Sequence, residues 1–82
     1  MNEVEGVLIE APRLEATQSH KNICFFSLEI QTQSKTRIVD FVAFDRIALY
    51  VYRECVKGNT LSVTGHKQEG KYQIFVDTVK LI

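Results

Sequence analysis

Phe41-Val42-Ala43-Phe44-Asp45-Arg46-Ile47-Ala48, followed by Lys57-Gly58-Asn59-Thr60-Leu61-Ser62-Val63-Thr64-Gly65, reads as strand, short helix, strand. Thr36 to Phe44 alternates, with Val39, Phe41 and Ala43 assigned to a core and Ile38, Asp40, Val42 and Phe44 to the outer face. Asp45 is placed to cap the helix, because its carboxylate can accept from free amides of the first turn. The helix is expected to run to about Val56, with Ile47, Ala48, Val51 and Cys55 on one buried stripe. Leu49, Tyr50, Tyr52 and Val56 leave most of the remaining circumference apolar, which predicts cover from a partner or a second subunit.

The flanking segments supply three more strands. Val4 to Ile9 forms the first, with Gly6 marking the bend of a small barrel and Pro12 ending the segment. Ile23 to Gln31 forms the second, its residues Cys24, Phe26, Leu28 and Ile30 inward and Phe25, Ser27, Glu29 and Gln31 outward. Asn59 to Lys67 places Leu61 and Val63 inward, His66 to Lys71 makes a short basic hairpin, and Tyr72 to Ile82 closes the chain with a slip in alternation near Asp77-Thr78. Five strands with one helix between the third and fourth predict an all-β fold, a five-stranded Greek-key barrel of the OB type occupying residues 1–82 as one domain.

Composition narrows the function classes. Ten Lys and Arg balance ten Asp and Glu, so no strong whole-molecule field attracts polyanions. The charge is uneven: residues 1–33 carry five glutamates against Arg13 and Lys21, a balance of −3, and residues 34–82 carry +3. No apolar run approaches the roughly 20 residues that span a bilayer, and no cationic leader precedes an apolar stretch, so a cytoplasmic protein without membrane contact is expected. Cys24 and Cys55 lie on apolar faces and are read as buried reduced thiols rather than a disulfide. No Cys/His pair has ligand spacing, so no metal or other cofactor is expected, and His20 and His66 are read as surface residues in polar loops. Paired carboxylates with a histidine, a nucleophile elbow and a glycine-rich phosphate loop are all missing, which argues against an enzyme.

In order and spacing the segments resemble the bacterial and phage single-stranded DNA-binding (SSB) family over nearly the whole chain. Gly6-Val7-Leu8 with Pro12-Arg13-Leu14 is similar to that family's first strand and turn, and Phe26-Ser27-Leu28 to its second strand. Phe41-Val42-Ala43-Phe44 before Asp45-Arg46-Ile47-Ala48 resembles an aromatic after two small apolar residues, then Gly-Lys-Leu-Ala. Lys57-Gly58 with Leu61, Val63 and Gly65 resembles the helix exit and fourth strand, and Asp77 to Leu81 the closing strand. The departures are the missing tryptophan, shortened hairpins, and an end at Ile82 where the family continues into an acidic-tipped tail. They make the chain similar to short, tailless members, those of phages and mobile elements or the PriB-like primosomal proteins of replication restart.

The resemblance implies a base-stacking aromatic at Phe44. Phe25 and Tyr72 are expected to share its surface, with Lys35, Arg37, Lys67 and Lys71 in the flanking hairpins and Arg13 and Lys21 from the first loop along the phosphate track. Single-stranded DNA is therefore the expected partner, bound largely without sequence preference in replication, recombination or restart. Glu29 and Asp40 oppose this reading, since both fall on the expected face, although each can accept hydrogen bonds from base amino groups. Val7 and Ile9 on the first strand, with Leu49 and Tyr52 on the helix, predict a homo-oligomer, dimer or tetramer, or contact with a helicase or primosome component. The competing reading is an OB-fold interaction adaptor with weak or no DNA binding, which the neutral charge and missing tryptophan favour.

Overall fold

The computed structural model describes residues 3–19 and 21–82; His20 lies outside them. Six strands and one helix follow in the order β1 (Glu3–Leu8), β2 (Arg13–Ala16), β3 (Asn22–Gln31), β4 (Thr36–Phe44), α1 (Asp45–Glu54), β5 (Thr60–Lys67) and β6 (Ile74–Leu81). β1 pairs antiparallel with both β5 and β3, β5 with β6, and β3 with β4. The parallel pairing of β4 with β6, through Phe41–Ile74 and Val42–Phe75, closes the barrel. β2 pairs with β3 beyond β1, so the two short strands are one bent strand: Leu8 faces Leu28 and Arg13 faces Phe25, which leaves four residues between them opposite two. Pro12 therefore does not end the first strand as expected; Ile9 to Pro12 forms the bend and pairing resumes at Arg13. The barrel is the expected OB fold with its helix between the third and fourth barrel strands. No described helix is long and apolar enough to cross a membrane.

Gly6 stands where β1 is crowded by β3, since a Cβ there would meet the Glu29 carbonyl oxygen at 2.8 Å and Ile30 Cγ1 at 2.9 Å. Gly65 is tighter, with the Phe75 carbonyl oxygen 2.5 Å from the same point. A register shift between Thr64 and Gly65 leaves Asp77 as an extra residue of β6, the slip that the broken alternation signals.

The inward phase of the strands is as read. Leu8, Cys24, Phe26, Leu28, Phe41, Ala43, Leu61 and Val63 are buried, joined by Ala48, Val51 and Cys55, with Val39, Ile30 and Ile47 packed against them. Phe26 and Phe41 stack at the centre, 5.3 Å between centroids. Two readings of the helix are corrected. It ends at Glu54, with Cys55 already extended, and its N-cap is Phe44 with no side-chain cap hydrogen bond. Asp45 is instead the first helical residue, at φ +54°, in the left-handed region that glycine accepts freely and Asp more readily than most side chains. This is the position at which the resemblance places glycine.

Cys24 and Cys55 are free and buried. Burial, reinforced by the neighbouring Cys55, pushes the Cys24 thiol from 9.0 up to about 11. A thiol whose folded pKa is raised stays protonated in the native state, so its contribution is intact below about pH 9 and is lost between 9 and 11. At about 1.4 kcal/mol per unit this amounts to about 3 kcal/mol by the top of that window. Urea midpoints measured from pH 8 to 10.5 should fall, and Cys24→Ala should flatten that slope whatever its effect at pH 8. Parallel slopes for the two proteins would show that the thiol does not govern the alkaline transition.

Candidate nucleic-acid interface

Residues directly opposite one another on paired strands share a face, and the register sets one row across the outer surface. Arg13 pairs with Phe25, Phe25 with Val42, Val42 with Phe75 and Phe75 with His66, so β2, β3, β4, β6 and β5 each contribute one side chain. Phe44 lies two residues beyond Val42 on the same face and stacks on Phe75, 5.7 Å between centroids. It is 38% exposed. His66 lies against the other side of Phe75, 6.0 Å between ring centres, and its Nδ1 is 3.0 Å from Asp77 Oδ1. Val42, read as an outward residue, is only 4% exposed because aromatic rings surround it on that face. It forms the apolar floor between Phe25 and Phe75.

The Arg13 guanidinium sits 5.0 Å from the centre of the Phe25 ring and pairs through Nε with Glu15 at 2.9 Å. A planar cation over an aromatic ring is itself a surface on which a base can stack. Below this pair on the same face, Ser27 Oγ donates to Asp40 Oδ1 at 2.5 Å. A cleft of about 220 Å³ opens there, lined among others by Glu10, Arg13, Phe25, Ser27, Asp40 and Gln73.

The expected site residues divide. Phe44, Phe25 and Arg13 are brought together on the row. Lys67 ends β5 next to His66, and Lys71 follows in the loop, where its amide donates to the Gln68 carbonyl. Tyr72 precedes β6 and is 77% exposed, in no described stacking pair with Phe44 or Phe25. Arg37 pairs with Ile30 on β4, seven residues before Phe44, and is exposed. Lys35 lies in the β3–β4 turn, nine residues from Phe44 along β4, about 30 Å at strand spacing. Lys21 is exposed in the turn before β3.

Phe75 and His66 are the residues that the sequence reading missed as members of the face. The signal was present, because Ile74 and Val76 were read as apolar positions and alternation then turns Phe75 outward. His66 had no such signal, since only the strand register sets it against Phe75.

A separate outer row joins Thr60, Val7, Glu29 and Ile38. Here Ile38 is 62% exposed and Val7 is exposed as well, so Glu29 lies between two apolar residues and away from the aromatic row. Ile9 and Leu49 are half-buried and Tyr52 is exposed.

The fold is similar to the crystal structure of the SSB domain of a protein from Synechococcus sp. The TM-score is 0.85 at 17% sequence identity, and the match covers 96% of this chain and 93% of that one. The chain therefore has the OB fold of an SSB domain. No family model and no curated protein matches the sequence.

Proposed function

We propose that this protein binds single-stranded DNA, largely without sequence preference, on the face that runs from Arg13 and Phe25 over Val42 to Phe75, Phe44 and His66. The observation that carries the reading is the aromatic row: three phenylalanines and a histidine held by strand register on one open face of an OB barrel. Binding single strands requires flat rings for bases, with cations at the margins for phosphate, and each stacked base contributes about 1–3 kcal/mol. Arg13 stands at one end of the row and Lys67 with Lys71 near the other. The likeness to an SSB domain supports the same reading, and the expected setting is replication, recombination or restart.

Fluorescence anisotropy with labelled single-stranded and duplex oligonucleotides tests it. Binding to the single strand should be tighter than to duplex and should weaken as salt rises, because phosphate contacts release counterions. Equal binding to both, or none at low salt, would favour an adaptor. For assembly, a homo-oligomer built on the Val7 and Ile38 face or on the helix residues Leu49 and Tyr52 is proposed, since these apolar side chains lie away from the aromatic row. Sedimentation at micromolar concentration reads it directly, and a 9.4 kDa species would contradict it.

A further inference from the structure

The cleft beside Phe25 holds an arrangement that sequence-neutral stacking does not need. Asp40 is a carboxylate on the face proposed to follow a polyanion, where bare charge repulsion weakens binding. It is nevertheless anchored: Ser27 Oγ donates to Oδ1 and fixes the group, and among the described residues Oδ2 has no hydrogen-bond partner. Gln73 adds an amide with both donor and acceptor, and Glu10 a second carboxylate at the rim. The Arg13 guanidinium over Phe25 supplies a flat cation at the opening. At about 220 Å³ the cleft lies below the roughly 300–1,000 Å³ of small-molecule pockets, a size suited to one flat ring system rather than a larger ligand.

We infer that this cleft reads the edge of a single base and prefers guanine, so that one position of the bound strand is selected while its neighbours are only stacked. The inference rests on the proposed binding of single-stranded DNA and deepens it. An unpaired guanine presents N1–H and the N2 amino group side by side, two donors that a carboxylate accepts together. Cytosine and adenine offer one amino group next to a ring acceptor. Thymine presents one N–H between two carbonyl oxygens, which a fixed carboxylate repels. Asp40 is itself exposed, so the discrimination comes from the paired hydrogen bonds to guanine and from repulsion of carbonyl oxygens on other bases. Asp40 is thus the specificity-determining group and Ser27 the residue that positions it.

The test is anisotropy with dT8 and with the same octamer carrying one central guanine, inosine, adenine or cytosine; a single guanine cannot form four-stranded structures. The guanine octamer should bind roughly 5- to 100-fold tighter than dT8, the range that one good bidentate base contact supplies. Inosine, which lacks only the N2 amino group, should lose most of that gain on the unaltered protein. Asp40→Asn should move the two affinities in opposite directions, weakening guanine binding and strengthening dT8 binding as a negative charge leaves the phosphate path. Ser27→Ala should narrow the preference without that gain for dT8. Octamers that all bind within twofold of one another would overturn the base preference while leaving single-strand binding intact. A guanine preference unchanged in Asp40→Asn would remove the role assigned to the cleft. Absence of binding to every octamer at low salt would reject both the preference and the function on which it rests.

Discussion

Phe41→Ala is expected to lower stability by about 3–5 kcal/mol, the usual cost of removing a buried aromatic ring. A domain of 82 residues has in total roughly 4–12 kcal/mol at ordinary stability per residue, so the variant should be partly or wholly unfolded at 37 °C. Phe41 is 1% exposed, stacks on Phe26 with ring planes 12° apart, and belongs to the strand that closes the barrel against β6. Its removal opens a cavity where three strands meet, and the closed sheet has little freedom to collapse into it. At about 4–8 °C per kcal/mol for a domain of this size, the melting midpoint should fall by at least 12 °C. Thr36→Ala on the same strand is the control. Its side chain stands on the outer face and is exposed, so its replacement should shift the midpoint by only a few degrees. Circular dichroism melts of the two variants give the answer, and similar losses for both would contradict the alternation on which the core assignment depends.

The second large effect is on binding. Replacing Phe44 and Phe75 together by Ala should weaken the affinity for single-stranded DNA by at least 30-fold, about 2 kcal/mol, since each ring offers a base one stacking surface. The losses should not add fully, because the rings stack on each other 5.7 Å apart and removal of either disturbs the second. Stability should fall by only about 1 kcal/mol per ring, since both lie on the outer face and an aromatic pair contributes about 0.5–1.5 kcal/mol beyond its burial. The slope of affinity against salt should stay at the parent value, because no phosphate contact is removed. A variant that keeps the parent affinity would transfer the binding face elsewhere on the barrel, and one that loses only its salt dependence would make the contact electrostatic rather than stacked.

Much of this architecture is legible along the chain. A strand lining a barrel must alternate, so Cys24, Phe26 and Leu28, and then Phe41 and Ala43, declare the inward phase locally, and the core of the structure follows it. The helix between β4 and β5 is likewise a local matter, because its apolar stripe is read from spacing alone. Asp45 shows where local logic fails. A carboxylate before a helix reads as a cap, but the chain enters the helix through Asp45 as a left-handed residue, with no side-chain cap bond.

The proposed binding face depends on information of another kind. Alternation states which side of a strand a residue occupies and nothing about its partner on the next strand. Successive members of the row Phe25, Val42, Phe75 and His66 are between 9 and 33 residues apart in the chain and become neighbours only through register. That register depends on the parallel closure of β4 against β6 and on the bulge at Asp77, both long-range features. The same closure buries Val42 on a face that the pattern marks as exposed. It also brings Phe75 and His66 next to Phe44 on one face. The sequence alone thus determined the fold, the inward residues and Phe44 as an outward ring, because each depends on the period of a single element. Which side chains make up one face was decided by the tertiary structure, since closing a barrel fixes the offset between strands that are distant in the chain.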